Sequence, residues 1–385
     1  MPETVDVAVV GGGVIGLSVA RELRLAGVDR VLVLEREASV GQGSSSRANG
    51  GVRAQFTTTA NIQFSAFSIA ELERLDAATG LLGFHQTGYL LLCGTEAGEQ
   101  GLAAACELQR SLGVDTRWLG PAEALELVPF LRPDGLRAAT FHARDGFLDP
   151  HGVVAALRAE TERLGAEIRT GAEVTAIEPA PGGALDVRAG GSAARAGFVV
   201  NAAGPAAGRV ATLCGTELPV APVRRNLAYV REPGGPRELI PMCVDLDTGV
   251  LIRREASGGF VVAWSDPDDP PGWDTNVDPR FLEQLAVRVG NRFPLLEDLP
   301  LDPRQCWAGL YPETPDHHAV VGPAPELPAL LHCAGFGGHG VMHSPAAGRA
   351  VAELVTLGEC RAFDLRPLRP SRFAEGDLVV ETAVL

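Results

Sequence analysis

The sequence predicts an α/β protein in which a Rossmann-type nucleotide-binding domain is interleaved with an α+β domain built on an antiparallel sheet. Three observations lead to this fold class. The chain opens with a strand, a glycine turn, a helix and a second strand. Its middle carries short segments of strand-like alternation, and an apolar strand, a glycine loop and a helix come near its end. We assign residues 1–82, 146–220 and 318–372 to the first domain and residues 83–145 and 221–317 to the second.

The opening unit follows from hydrophobic periodicity. Residues 5–10 and 31–35 are short apolar runs, and each predicts a buried strand. Residues 14–26 lie between them with apolar side chains at helical spacing, and Gly27 suits the end of that helix. The result is a βαβ unit.

The remaining elements are predicted in the same way. Helices are expected at residues 60–79, 97–112, 150–164 and 279–291, with Asp149 as a candidate cap of the third. Strands are expected within residues 167–202 and at 227–230, 250–253 and 259–264. The closing unit is a strand at 329–333, glycines at 335–340 and a helix to residue 357. Its expected N-cap is Ser344, with Pro345 as the first helical residue.

The composition excludes several classes of function. The formal net charge of −15 disfavours nucleic acid and anionic membrane surfaces as partners. The 33 basic residues are all arginine, so no lysine can form a Schiff base. Seven scattered cysteines without a CxxC pair predict reduced thiols and a cytoplasmic location, and no metal-ligand spacing occurs. No apolar segment is long enough to suggest a signal peptide or a membrane span.

The glycine turn after the first strand matches the GxGxxG dinucleotide motif. Gly11 permits the tight turn, Gly13 lets the backbone approach a pyrophosphate at the helix N-terminus, and Gly16 allows close helix–strand packing. Glu35 ends the second strand 19 residues beyond Gly16, where a carboxylate can accept hydrogen bonds from a ribose. A surface glutamate beside a plain glycine turn is the alternative interpretation.

Two further segments favour FAD over NAD. Residues 41–53 form a loop rich in glycine and serine directly after the second strand, which can donate hydrogen bonds to a pyrophosphate or a flavin ring. Residues 333–345 lead from a strand through glycines into a helix. Free N–H groups at such a helix start would stabilise negative charge on reduced flavin. A surface loop and a capped turn without a ligand are the respective alternatives.

The chain resembles the D-amino-acid-oxidase type of FAD flavoprotein, in the branch of sarcosine oxidase and dimethylglycine dehydrogenase. The matching stretches lie at residues 7–20, 44–47, 51–56, 86–90, 145–150, 201–204, 307–316, 335–340 and 364–373. The resemblance implies a glutathione-reductase-like FAD-binding domain and oxidation of an amino-acid or amine C–N bond. The expected cofactor-binding residues are Gly11, Gly13, Val14, Ile15, Gly16, Glu35, Arg36, Ser44, Ser45, Ser46, Arg47, Gly50, Gly51, Val174, Ala203, Gly204, Gly337, Gly338, His339, Gly340, Val341 and Met342.

The resemblance also implies three residues that act on the substrate. Arg53 lies six residues beyond Arg47, where the family places an arginine that binds the substrate carboxylate, and a guanidinium can hold a carboxylate bidentately. Tyr311 follows the Trp-Ala-Gly run at the position of a pocket aromatic residue, and His339 lies inside the flavin loop. A structural role is the alternative for each residue.

The chain lacks two features of the family pattern, namely the cysteine that tethers flavin and the lysines that act at the site. The cysteine that tethers flavin in sarcosine oxidase corresponds to Gly309, so FAD is expected to be non-covalent. A family lysine that binds the substrate carboxylate corresponds to Met342, and the lysine that assists oxygen reduction is absent because the chain has none. These departures favour a dehydrogenase over an efficient oxidase.

Three functions remain open from the sequence. The first is oxidation of an amino acid or of a secondary or N-methylated amine. The second is oxidation of a 2-hydroxy acid on the same fold, which Arg53 would serve equally well. The third is a flavoprotein subunit or assembly factor with little turnover of its own. The expected partners are a small-molecule substrate and an electron acceptor or a second subunit.

Overall fold

The computed structural model describes residues 2–235 and 237–382. The strands are β1 Glu3–Val10, β2 Val31–Leu34, β3 Gly51–Val52, β4 Tyr89–Cys93, β5 Arg117–Leu119, β6 Ala138–His142, β7 Gly146–Phe147, β8 Glu167–Arg169, β9 Val174–Pro179, β10 Leu185–Ala189, β11 Ser192–Asn201, β12 Ala221–Val230, β13 Met242–Asp245, β14 Val250–Arg254, β15 Phe260–Trp264, β16 Leu301–Glu313, β17 Val320–Ala324 and β18 Leu327–Ala334.

The helices connect these strands and cover their faces. They are α1 Val14–Leu25, α2 Thr59–Thr79, α3 Glu96–Ser111, α4 Pro121–Leu127, α5 Pro150–Arg163, α6 Ala207–Thr212, α7 Pro279–Arg292, α8 Gly340–Leu357 and α9 Arg372–Glu375.

The first sheet forms around strand β1. Its order is β17-β18-β11-β1-β2-β8, with β10 attached to β11 and β9 attached to β10. The inner pairs β11–β1, β1–β2, β2–β8 and β11–β18 are parallel. Such strands are buried on both faces, which is why residues 7–10 and 31–34 are continuously apolar and buried. Helices α1, α5 and α8 pack together on one side of the sheet.

The second sheet has the order β16-β12-β15-β14-β13-β4-β6-β5. Its pairs are antiparallel except β13–β4, which run parallel, so the expected antiparallel sheet is a mixed one. The reason is connectivity: β4 enters from a different chain segment and adds to the edge strand of the β12–β15 meander. Helix α7 buries Phe281, Leu285 and Val289 against one face of the sheet.

Most predicted elements occur where expected, and Asp149 caps α5 by accepting a hydrogen bond from the His151 amide at 2.9 Å. The prediction of where the last long helix begins was wrong. Helix α8 starts at Gly340 with His339 as N-cap, so Ser344 and Pro345 lie inside it. Pro345 lacks the N–H that would donate to the Val341 carbonyl, and the Ser344 hydroxyl donates to that oxygen instead at 3.0 Å. The proline is therefore accommodated.

The two sheets are built from alternating chain segments. Strands of the first come from residues 3–34, 167–201 and 320–334, and strands of the second from 89–142 and 221–313. The exact domain boundaries stay a prediction. Across residues 2–235 and 237–382, helix length and hydropathy together provide no candidate for a membrane crossing.

Candidate functional site

A cleft of about 670 Å³ lies between the end of the first sheet and the face of the second. It brings together most of the residues that the sequence singled out for cofactor binding. The predicted residues that line it are Gly11, Gly13, Val14, Ile15, Glu35, Arg36, Ser44, Ser45, Arg47, Gly50, Gly51, Val174, Ala203, Gly204, Gly337, Gly338, Gly340 and Val341. Gly16, Ser46, His339 and Met342 do not belong to the lining.

The glycine turn is shaped by close backbone contacts. Gly11 has φ of +108°, and a Cβ added there would lie 2.5 Å from the Ala202 carbonyl oxygen. A Cβ at Gly16 would lie 1.9 Å from the Gly11 oxygen, so Gly16 supports the turn from behind without reaching the cleft. The N-terminus of α1 therefore faces the cleft with its backbone amides close to any bound anion.

Glu35 lies at one end of the cleft as a buried carboxylate. Its two oxygens accept hydrogen bonds from the backbone N–H of Gly12 at 2.7 Å and of Glu37 at 2.9 Å. A carboxylate has about four acceptor positions, so it can accept ribose hydroxyl groups as well. The neighbouring lining residues Arg36 and Val174 complete this end.

The serine loop is tied to both walls of the cleft. Ser45 Oγ accepts from the Val14 N–H at 3.2 Å, whereas Ser44 Oγ donates to the Leu310 carbonyl at 2.5 Å. Arg47 donates to the Ala308 carbonyl at 2.8 Å. Ser46 bonds only within the loop, to the Gly43 carbonyl at 3.2 Å. The loop therefore joins helix α1 to strand β16.

Tyr311 lies on β16 of the second sheet, and Arg53 follows β3, which pairs with β7 in a separate two-stranded sheet. Tyr311 lines the cleft. Its ring packs on the glycine loop at residues 335–340, since a Cβ at Gly338 would lie 2.6 Å from that ring. Arg53 lies behind the cleft wall with only 2% of its surface exposed. Its guanidinium stands 3.9 Å from the centre of the Phe56 ring and donates to the Gln55 carbonyl. Burial lowers the pKa of Arg53 and raises that of Tyr311.

His339 and His343 are buried beside Arg53. The His339 ring packs edge-on to Phe56 with centroids 4.7 Å apart, and His343 bonds the Ser65 hydroxyl at 2.9 Å. Burial, aided by the positive charge of Arg53, holds the pKa of both imidazoles well below the ordinary value. Both rings are therefore neutral at pH 7, which avoids repulsion with the guanidinium.

Arg53 is also supported by a buried network that the sequence reasoning missed. The Asp145 carboxylate accepts from the Ala54 N–H at 2.8 Å, from Gln55 Nε2 at 3.1 Å and from His142 Nδ1 at 2.6 Å. Asp145 begins the Asp-Gly-Phe-Leu-Asp-Pro stretch at residues 145–150, which resembles the family and could have indicated a role for this carboxylate.

Arg225 is a second residue that the sequence reasoning missed. It lines the cleft, 5.5 Å from the centre of the Tyr311 ring and 4.0 Å from Glu313. Within residues 2–235 and 237–382, its Nε finds no hydrogen-bond partner. The alternation of β12 could have revealed it, because Val223 and Arg225 pair with Tyr311 and Gly309 of β16.

The fold and the cleft together are those of a protein that binds a dinucleotide between two sheets. The family model described as FAD dependent oxidoreductase (DAO) matches residues 6–354, and the chain belongs to this family. The predictions of FAD and of an oxidoreductase are thereby confirmed. The residues fit the cofactor: glycines leave room along the cleft, amides of α1 face it, and Glu35 lies at the end expected for a ribose.

Individual relatives support the same family. The chain is 32% identical to the FAD-dependent oxidoreductase domain-containing protein 1 of Bos taurus, over 100% of this chain and 88% of that protein. It is 31% identical to glycine oxidase of Geobacillus kaustophilus, over 97% and 98% of the two chains. The crystal structure of L-proline dehydrogenase from P. horikoshii superposes with a TM-score of 0.91 at 29% identity, covering 98% of this chain and 100% of that one.

Proposed function

We propose that this protein oxidises the C–N bond of an amino acid or of a secondary or N-methylated amine. The observation that carries the proposal is the position of Tyr311, which lines the cleft against the Gly337–Gly338 turn with the buried guanidinium of Arg53 behind it. The similarity to a glycine oxidase and to an L-proline dehydrogenase supports the same class of substrate.

Each residue has a separate task in this proposal. Arg53 binds the substrate carboxylate, and because it lies behind the cleft wall, its side chain or those that cover it must move to admit the ligand. Tyr311 closes the pocket against the glycine loop and excludes water from the reacting carbon. His339, held neutral by burial, shapes the start of α8 and adds no charge beside Arg53. FAD, when bound, accepts the hydride from the substrate.

A second part of the proposal concerns the electron acceptor, which is expected not to be oxygen. The chain has no lysine, and the buried Met342 occupies the position of a family lysine that binds carboxylate. We therefore favour a dehydrogenase that passes electrons to another acceptor, with a second subunit as one candidate. A cytoplasmic location remains a prediction.

Non-covalent binding of FAD is part of the same proposal. Gly309 carries no thiol, and a Cβ at that position would lie 3.0 Å from the Cβ of Arg47. Cys306 is directed towards the Asp302 carbonyl at 3.6 Å, within its own strand. We expect acid or heat denaturation to release all flavin into the supernatant. Flavin that remains on the polypeptide would contradict this part.

An anaerobic titration tests the proposed function. The holoprotein is mixed with sarcosine, dimethylglycine, L- and D-proline, D-amino acids and 2-hydroxy acids, while the oxidised-flavin band near roughly 450 nm is followed. Bleaching by an amine, with slow reoxidation in air, is the expected result. Bleaching by 2-hydroxy acids alone would support the alternative substrate class. No bleaching by any compound would favour a subunit or assembly factor with little turnover of its own.

A further inference from the structure

The C-terminal segment, residues 372–382, carries a buried carboxylate close to Arg53. Glu381 has only 1% of its surface exposed, and its backbone N–H donates to the Asp316 carbonyl at 3.2 Å. The three apolar residues before it are exposed: Leu378, Val379 and Val380. Burial of apolar surface therefore does not hold this stretch in place, and its polar end attaches it to the domain.

The Glu381 carboxylate binds the start of helix α2. It accepts hydrogen bonds from the Thr57 N–H at 3.0 Å, from the hydroxyl groups of Thr57 and Thr58, the latter at 2.8 Å, and from Asn61 Nδ2 at 3.0 Å. Thr58 is the N-cap residue of α2, and among the described residues its side chain makes no capping hydrogen bond to the helix. Glu381 thus ties the residues that precede this 21-residue helix to Asn61 in its first turn, where the helix dipole also favours a negative charge.

The segment that Glu381 fixes is continuous with Arg53. The Arg53 guanidinium rests on the Gln55 carbonyl and on the Phe56 ring, and Thr57 follows directly. Thr58 also attaches to the loop at residues 316–318. Thr58 Oγ1 bonds His318 Nε2 at 2.9 Å, and the buried Asp316–Arg372 ion pair at 2.7 Å holds the loop that carries His318. A shift of Thr57 would therefore move the groups on which the guanidinium rests.

We propose that Glu381 is a positioning residue for the carboxylate anchor, acting through Thr57 and Thr58 on the segment that carries Arg53. The proposal rests on the proposed function in one respect, namely that Arg53 binds a substrate carboxylate. It adds that the C-terminal segment sets the affinity of the site for carboxylates without contacting FAD or substrate.

Binding of an unreactive carboxylate to the holoprotein tests the proposal. Benzoate and its uncharged analogue benzamide are titrated against the flavin absorbance of the wild type and of Glu381→Gln. We expect the dissociation constant of benzoate to rise about tenfold, as for loss of hydrogen bonds to a charged group, while that of benzamide stays the same. Thr57→Val, which removes one donor to the carboxylate, should weaken benzoate binding in the same direction.

Glu375→Gln is the matched control. Glu375 belongs to the same C-terminal segment but is exposed and pairs with Arg369. We expect it to change neither dissociation constant. Tighter benzoate binding in Glu381→Gln would mean that Glu381 acts on the site only through its charge. An equal rise in the dissociation constants of benzoate and benzamide would mean a general distortion of the pocket. Either result would overturn the proposal.

Hydrogen exchange separates this inference from the proposed function, because it requires no ligand. Amides of residues 54–62 should exchange about tenfold faster in Glu381→Gln than in the wild type and in Glu375→Gln, because exchange follows local opening. Unchanged exchange would refute the positioning role whatever the protein oxidises. A different result is also informative: exchange is faster in Glu381→Gln, but the wild type binds no benzoate. This would refute Arg53 as a carboxylate site and leave only the structural link between Glu381 and residues 54–62.

Discussion

The two walls of the cleft present different kinds of chemical group to a ligand. The first-sheet wall presents mainly backbone groups, namely the turn at Gly11 and the amides that begin α1, with the Glu35 carboxylate at one end. The second-sheet wall presents side chains, above all Tyr311 and Arg225, and the buried Arg53 lies behind it. A wall formed by backbone groups requires particular residues at fixed spacing, and this requirement appears as a sequence motif. A wall formed by side chains can be altered by substituting one residue at a time. Substitutions on the first wall should therefore remove the cofactor, and those on the second should change the substrate.

The largest effect is expected at Gly16. In Gly16→Ala the new methyl group would lie 1.9 Å from the Gly11 oxygen, so α1 must move away from the turn. We expect a loss of about 3 kcal/mol in the free energy of unfolding and little bound FAD, measured by denaturant titration and flavin content. The matched control is Gly101→Ala in α3, where a Cβ meets nothing within 4 Å and the helix should become slightly more stable. Equal stability of the two variants would contradict the prediction.

The next largest effect tests the second wall. We expect Arg53→Gln to keep its FAD but to lose about 100-fold in kcat/KM for a carboxylate-bearing amine, which corresponds to about 2.8 kcal/mol. Stopped-flow flavin reduction is the measurement. Arg304→Gln is the control, since Arg304 is exposed and, in the part of the chain that the structure describes, forms an ion pair only with Asp302, two residues before it. Loss of FAD in Arg53→Gln would show that the two walls are not separable in this way.

A smaller effect is expected at the ribose end of the first wall. Glu35→Gln replaces a carboxylate that accepts two backbone hydrogen bonds with an amide that offers one acceptor oxygen. The dissociation constant of FAD should rise about tenfold, measured by flavin fluorescence after reconstitution of the apoprotein. Glu37→Gln, at a half-exposed residue on the same rim, serves as control. The prediction fails if both variants bind FAD alike.

The smallest effect concerns His317 at the outer edge of the second wall. The hydrogen bond from Nδ1 to Glu313 at 3.0 Å raises the pKa of His317. The bond therefore stabilises the fold below the unfolded-state pKa, and this contribution disappears as the pH rises through the folded-state value. We expect Glu313→Gln to lower the His317 pKa and to reduce the pH dependence of the melting temperature between about pH 5 and 8. An NMR titration of His317 with unchanged pKa would refute this.

The same contrast explains what the sequence could predict. The turn at Gly11–Gly16, Glu35 and the loop at Gly337–Gly340 were found because they depend on local backbone geometry, and local geometry leaves local motifs. The start of α8 was misplaced because a Ser-Pro pair is typical of a helix start, and the Ser344 hydroxyl that makes Pro345 tolerable inside the helix is visible only in three dimensions. Arg225 and Glu381 were missed because their partners lie far along the chain, in β16 and in the residues before α2.

The interleaved first sheet has a consequence for synthesis of the chain. Strand β1 pairs with β11, as in Val7 with Phe198, and β11 in turn pairs with β18, as in Val200 with Leu331. A chain emerging from the ribosome therefore cannot complete its nucleotide-binding sheet until most of its length has been translated, and non-local parallel pairing forms slowly. Glu381 emerges later still. A chain that terminated shortly before it would contain every element of the flavin fold, but the start of α2 would lack the carboxylate that binds it.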